Sequence, residues 1–412
     1  MMDGDPSGDA ACPVSAANTA SPITVSPIAP ALPITISWTS GDAVDAALIA
    51  EWRGLSARAG EANIFAEPAM LLAALRHCDR GAGSAAAAQL AVARDATGAL
   101  IGIMPLVRNP RFGRLPLPAL SNWGHPNAFL NAISIAQGAE DEFWRAIIQS
   151  ASQTHLAAPL LHITQLPQHG RVHRGLLSAT GALNLPVVID DAVTRAALAT
   201  NDSADAYWDD SVRAKKRKEL RRQWARLSEQ GVLTTDHLGK EADPAPWIAE
   251  FLTLEASGWK GANGSSLSSN ADTDAFFNEA MRAAHAAGQL DLTALRIDGR
   301  AIAMLITLVG GNCGFSFKTA FDEGFARFSP GVLLQRESLG LLVDRQLDWI
   351  DSCAAQDHPM IDSLWRERRH IVSVVLPMPG RTNAMLFTAF QATKTAWHRI
   401  KSLRRTAETP PQ

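Results

Sequence analysis

Cysteine is scarce in this sequence: Cys12, Cys78, Cys313 and Cys353 are the only four in 412 residues. None forms a C-x-x-C pair and none builds a disulfide-like framework, so the thiols are expected to be reduced, as in a cytosol. Cys353, His358 and His370 lack a recognised zinc spacing, and no metal site is expected. Charge is equally unremarkable in bulk, with a formal net charge of -3 and 19% charged residues. That balance gives no argument for a nucleic-acid or membrane partner. Long apolar runs are missing too. The longest, residues 301–309, is far too short to cross a bilayer. The first residues carry no basic region ahead of an apolar core, so no signal peptide is expected and the location expected is cytoplasmic.

What is present is enough chain for two domains, each able to bury its own core. Residues 1–33 are rich in Ala, Ser, Thr and Pro and poor in large apolar groups, and read as a disordered tail. Order is expected from Ile34-Thr35-Ile36 onward. Val44, Leu48, Trp52 and Leu55 have helical spacing, and a second helix is expected over residues 69–75. Residues 90–94 and 99–107 read as strands around Asp95-Ala96-Thr97-Gly98. Residues 115–120 follow, then the loop 122–127, a helix near 140–153, and strands at 160–164 and 187–189.

Residues 290–369 carry the strongest pattern. Leu292 to Leu295 is β-compatible, Asp298-Gly299 is a hairpin-turn pair, and 301–309 suits a buried strand. Gly310-Gly311-Asn312 turns the chain again, and Phe315, Phe317 and Thr319 alternate as a third strand does. Gly98-Ala99-Leu100-Ile101-Gly102 answers to Gly299-Arg300-Ala301-Ile302-Ala303, and a helical segment precedes each hairpin. Two copies of one α/β unit are therefore expected. The first lacks a Ser-Pro-Gly or glycine-rich segment and reads as a degenerate copy shaping a substrate groove. Ser329 reads as an N-cap, Pro330 as a first helical residue, and Gly331 leaves the free N–H groups of the first turn open. Such a helix start attracts phosphate.

The segment Phe317-Lys318-Thr319-Ala320-Phe321-Asp322-Glu323, with Ser329-Pro330-Gly331 after it, resembles the catalytic half of a GNAT-type acyl-CoA N-acyltransferase. The similarity is greatest to the branch holding the FemAB-like transferases and the acetyltransferases of cellulose biosynthesis, and it covers most of residues 36–395. Where the familiar GNAT phosphate loop reads Gln/Arg-x-x-Gly-x-Gly/Ala, this chain has Arg327-Phe328-Ser329-Pro330-Gly331. Residues 351–369 match a pattern of close relatives, and the Tyr-Lys pair usual in the branch is missing there. The resemblance implies a mixed α/β (α+β) fold of two tandem GNAT-like domains, each a mostly antiparallel sheet flanked by helices. The expected division is 34–195 for the degenerate copy, 196–231 for a basic linker helix, 232–395 for the catalytic copy, and 396–412 for a tail. It also implies acetyl-CoA or another acyl-CoA as co-substrate, a small-molecule or glycan-precursor acceptor in polysaccharide or envelope biosynthesis, and a monomer or homodimer.

Acyl transfer to an amine or hydroxyl needs the donor's pyrophosphate held, its carbonyl polarised and a proton removed. The backbone N–H groups of Gly331, Val332 and Leu333 beyond Ser329 are assigned to the first task, with Arg327 as an added cation. Asp351 ends a strand at the edge where ligands gather, and His358 sits in the loop beyond; both are candidates for proton transfer. His358 has the alternative of a loop-stabilising side chain before Pro359. Lys318 and Asp322 face the donor as an ion pair shaping the groove, or as a plain cross-strand pair. Trp259 borders a polar loop suited to a lid, and Trp365 completes the substrate-side set, with helix surface and core as its other reading. Cys353 reads as a small buried residue.

Residues 212–230 carry Arg213, Lys215, Lys216, Arg217, Lys218, Arg221, Arg222 and Arg226, with Val212, Leu220, Trp224 and Leu227 as an apolar stripe. The preferred reading is a solvated connector. The alternative is a grip on RNA, since FemAB-like enzymes use aminoacyl-tRNA.

Overall fold

Two hairpins, each turned by a glycine, set the geometry of the fold. In a computed structural model, Gly98 (φ 85°) and Gly299 (φ 81°) both occupy the left-handed region that the tight turns require. The first turns β2 (Gln89–Arg94) into β3 (Leu100–Asn109), and the second turns β9 (Leu290–Ile297) into β10 (Arg300–Gly310). Helix α2 (Pro68–Cys78) precedes the first hairpin and α8 (Ala271–Ala286) the second, and the two helices pack on each other. The structure describes residues 34–78, 88–258, 261 and 263–407, with backbone alone for 395–407. The tail expected at 1–33 and Trp259 lie outside the described residues.

The repeat continues beyond the hairpins. The first half runs β1 (Thr35–Ser40), α1 (Ala46–Ala57), α2, β2, β3, β4 (Ala119–Asn122), the short β5 (Ser134–Ile135), α3 (Glu140–Ala151) and β6 (Leu160–Pro167). After α4 (Arg171–Ala182) and β7 (Val188–Leu198) come α5 (Ala204–Ser211), α6 (Ala214–Ser228), β8 (Leu233–His237) and α7 (Ala245–Ser257). The second half continues through α8, β9, β10, β11 (Cys313–Phe321), α9 (Pro330–Leu334), α10 (Glu337–Asp344), β12 (Trp349–Asp351), β13 (Glu367–Pro377) and α11 (Arg381–Ala407). Each half has one parallel pair, β4 with β6 and β11 with β12, bridged by the helices between them. All other neighbours are antiparallel, so the fold is mixed α/β as the sequence implies.

The strands form one sheet in the order β1-β2-β3-β4-β6-β13-β7-β12-β11-β10-β9-β8, with β5 paired to β3. The halves exchange strands at its centre. β13, near the C-terminus, lies between β6 and β7, and β7 bridges β13 to β12. The short strand expected at 187–189 is therefore an eleven-residue central strand. Residues 384–390 lie in the single helix α11, whose Phe387 and Phe390 cover Leu160 and Val375, and the stretch read as a basic helix or tail over 396–405 continues that helix. The basic linker expected over 196–231 divides into the end of β7, α5 and α6.

Two larger apolar clusters cover the sheet. The first holds Trp52, Phe65, Trp144, Phe276, Phe277 and Phe315. The second holds Tyr207, Leu220, Leu333, Leu342, Ile350 and Trp365. The chain's single tyrosine, Tyr207, is fully buried and donates its hydroxyl hydrogen to Glu367 Oε2 at 2.6 Å, which ties α5 to the start of β13. No helix among the described residues is long and apolar enough to cross a membrane.

Candidate functional site

The parallel pair β11–β12 is short on one side. Only Cys313, Gly314 and Phe315 pair with Trp349, Ile350 and Asp351; beyond them β11 continues to Phe321 while β12 has ended. The strands part at the carboxyl end of β12, where an α/β sheet gathers ligands. β11 also carries a bulge there. Ser316 pairs with Thr307 and Lys318 with Ile306, leaving Phe317 as the extra residue. The Lys318 ammonium lies 5.2 Å from the Phe317 ring centroid.

The Ser329-Pro330-Gly331 segment departs from its expected form. Pro330 does open α9, but Ser329 is left-handed (φ 53°, ψ 50°) and does not cap with its side chain. Its hydroxyl accepts from Gln223 Nε2 at 3.1 Å on α6. Its carbonyl accepts the amides of Val332 (2.9 Å) and Leu333 (3.1 Å), so two of the three donors assigned to a pyrophosphate are already committed. A left-handed residue turns its carbonyl into the new helix, which removes the open cradle. Gly331 is buried, and a Cβ there would lie 3.5 Å from Thr319 and 3.6 Å from Phe321. A methyl fits and a glutamate does not. Gly331→Ala is therefore expected to keep or raise stability by up to about 1 kcal/mol in urea unfolding, through reduced unfolded-state entropy. Arg327 is exposed, with its guanidinium 4.7 Å from the Phe328 ring.

The room near this helix lies along its outer side. A groove of about 560 Å³ runs between α5, α6 and α9–α10, with Trp208, Leu220, Trp224 and Leu333 on its apolar walls. Arg217, Arg221 and Arg336 supply its positive charge. Arg217 is spent on the carbonyls of Asp209 and Val212. Arg336 pairs with Asp205 at 2.8 Å and lies over the Trp208 ring at 5.6 Å. Arg221 is exposed and has no ion-pair partner among the described residues. Of the residues the sequence assigned to the donor, Leu333 alone lines this groove. Trp224, read as part of an apolar stripe, is 39% exposed and walls the groove.

Asp351 is a correction. Its carboxylate is fully buried, 2.7 Å from Arg195 Nε, 2.8 Å from Arg195 Nη2 and 2.7 Å from Arg369 Nη1, and it accepts the Cys353 amide at 2.9 Å. Burial alone would raise its pKa, but the Coulombic pull of Arg195 and Arg369 holds it below the usual carboxylate value. A carboxylate clamped and sealed in this way locks β12 to β7 and β13; it is not placed to take a proton from a substrate. His358 is half-buried, its carbonyl accepting the Asp362 amide at 3.0 Å, and no hydrogen bond joins it to Asp351 among the described residues. Trp365 is 2% exposed inside the second cluster, so the core reading holds over substrate contact. Asp322 pairs with Arg300 and accepts the Gly324 amide at 2.8 Å, capping the turn that follows β11. Cys353 is buried, and burial together with Asp351's charge raises its thiol pKa far above the ordinary value.

The structure adds His125, from the loop after β4. Its ring stacks on Trp123 at 5.5 Å and meets Phe276 edge-on at 5.0 Å. Burial, reinforced by the positive charge of Lys318, lowers its pKa to about 4, so it is neutral at neutral pH. The His125 loop of the first half thus reaches the bulge of the second. Only a Trp-Gly-His-Pro-Asn run in a loop hinted at this, and nothing local pointed to the partner.

The match of this chain to known domains falls on the same ground. Residues 214–358 match the acetyltransferase (GNAT) domain. The matched GNAT stretch begins with α6, includes the bulge and the β11–β12 pair, and ends at His358. No curated protein matches the chain. Among solved structures, FemX is similar at 11% identity and TM-score 0.53, covering 83% of this chain and 98% of its own. A conserved protein of unknown function from Bacteroides thetaiotaomicron is similar at 12% identity and TM-score 0.52, covering 84% of this chain and all (100%) of its own. The C-terminal domain of a proposed lysylphosphatidylglycerol synthetase from Agrobacterium fabrum follows at 11% and 0.50, covering 82% and 94%. At these identities the likeness is one of fold.

Proposed function

We propose that the protein is a GNAT-type acyltransferase that moves an acyl group from acyl-CoA to an amine or hydroxyl acceptor. The observation that carries this reading is the parting of β11 from β12 beside a bulge, inside the stretch that matches the GNAT domain. A bulge turns backbone groups out of the sheet ladder, which supplies donors for a thioester carbonyl. The basic, aromatic-walled groove along α6 and α9–α10 suits the nucleotide part of the donor, with Arg221 as its uncommitted cation. Half-buried His358 is the candidate for relieving the acceptor of a proton, in place of Asp351, while His125, held neutral, is suited to hydrogen bonding. A glycan precursor remains the acceptor class that the sequence resemblance suggests.

The test is thermal unfolding with CoA, acetyl-CoA and longer acyl-CoAs, for the native chain and for Arg221→Glu. A ligand at about 100 times its Kd adds roughly 2.7 kcal/mol, and the variant should lose most of that gain. Stabilisation equal in both proteins would remove the groove from the donor site. No stabilisation by any acyl-CoA would remove the donor.

A second reading has one observation in its favour. Arg213, Lys215, Lys218, Arg221, Arg222 and Arg226 of the α6 region are all exposed, a basic face that an aminoacyl-tRNA donor would use. It predicts RNA binding that weakens steeply with salt and is lost on reversing Lys215 and Lys218.

A further inference from the structure

On the first cluster's side of the sheet, away from the groove, a cleft of about 400 Å³ opens between α4 and the strands β12–β13. Arg171 and Arg174 project from the first turn of α4, and Arg368 and Arg369 come from β13, nearly two hundred residues later. His169 and His370 lie among them. Folding therefore gathers four guanidinium groups in one concave place, an arrangement that repels itself unless anions are present.

The carboxylates nearby answer that charge only in part. Glu61, the acidic residue in the cleft wall, accepts the Val172 amide through Oε2 at 3.3 Å and feels the positive charges of Arg369 and Arg174. Asp351 already serves both Arg195 and Arg369 from below the surface. Asp362 stands 3.5 Å from Arg368 at the rim. Arg171 has no ion pair among the described residues, and Arg174 donates to its own chain at the His169 carbonyl. Arg368 is oriented by the carbonyls of Trp365 (2.8 Å) and Glu367 (2.9 Å) through one nitrogen, Nη1. The Arg369 guanidinium lies 4.0 Å over the Trp349 ring, which gives the cleft a rigid floor. Arginines held by neutral carbonyls keep spare N–H groups in fixed directions, the geometry that grips a phosphate or carboxylate bidentately.

We propose that this cleft is a binding site for the anionic group, phosphate or carboxylate, of a small molecule, held by Arg171, Arg174 and Arg368. The site is separate from the donor groove and does not depend on which group the protein transfers. Glu61 positions the start of α4 through the Val172 amide.

Calorimetric titration at low ionic strength with inorganic phosphate, pyrophosphate and citrate tests it on the full chain. The phosphate and citrate arms separate the two anion classes. One of the probes should bind the native protein, and Arg171→Ala with Arg174→Ala should weaken it by about 100-fold, tenfold for each lost charge-assisted contact. Both side chains are exposed, so the double variant should melt with the native protein, and its melting curve is recorded alongside. Arg114→Ala, at an exposed position that lines neither the cleft nor the groove, should leave the affinity unchanged. Unchanged affinity in the double variant, an equal loss in Arg114→Ala, or no binding of any probe by the native chain each overturns the proposal.

Discussion

Asp351→Asn is expected to destabilise the protein by about 3–5 kcal/mol, because it leaves the buried Arg195 guanidinium and the partly buried Arg369 guanidinium facing a neutral amide. The loss should show in urea unfolding as a lower midpoint with an unchanged slope. The same carboxylate gives an acid limit. Its pKa is depressed in the folded state, so its contribution is complete above the ordinary aspartate value of about 3.8 and fades as pH falls through the lower folded value. Native protein should thus weaken in that acid window, and Asp351→Asn should not show that part of the pH dependence. Were Asp351 instead a catalytic base, the variant would lose turnover while keeping its stability, and that outcome would sink the structural assignment. Joint replacement of Asp351, Arg195 and Arg369 by apolar residues should be milder than the single change, since the charge cost disappears with the charges.

Trp365→Ala is expected to cost about 3–5 kcal/mol, by loss of transfer energy and by the cavity left among Leu364, Ile361 and Ile350. Trp365→Phe should recover much of it. The discriminating readout is KM: a tryptophan that contacted substrate would raise KM in Trp365→Phe, whereas one buried in the core leaves KM alone once the protein is folded. Calorimetric unfolding beside steady-state kinetics separates these.

The elements that local chemistry dictates were legible beforehand. Asp298-Gly299 makes its hairpin because two consecutive positive φ values suit these residues; the first turn is longer, with Gly98 alone at positive φ and Asp95 Oδ1 accepting the amides of Thr97 (2.9 Å) and Ala99 (3.0 Å). Helix α1 starts where Asp45 accepts the Leu48 amide at 2.8 Å. Pairings between distant segments carried no such signal. Nothing in Val188 to Leu198 announces that its neighbours are residues 349–351 and 367–377. The buried state of Asp351 depends on Arg195 and Arg369, which meet it only after those strands pair. Ser329 misled for a related reason: its composition is that of an N-cap, but Gln223 on another helix claims its hydroxyl. Helix α4 went unread because His173 and Thr180 are buried polar residues that blur the apolar stripe. Lys318 and Asp322 fell on the strand and the turn where the sequence put them, but the bulge that makes Phe317 an extra residue depends on pairing with β10 and did not show.

The central place of β13 has a consequence for how the protein is made. During synthesis the strands β1 to β6 leave the ribosome first, yet the hydrogen-bonding partner of β6 on its open side is encoded more than two hundred residues later. Until residues 367–377 emerge, β6 and β7 each present a bare edge, the kind of edge that recruits stray chains. Residues 367–377 therefore act as a keystone, and a nascent chain that stops short of them has a half-sheet and no way to close it. A stop codon shortly before residue 367 should be as damaging as one far upstream, and splitting the protein into separately expressed halves should succeed only when the half that lacks β13 is supplied with it in trans.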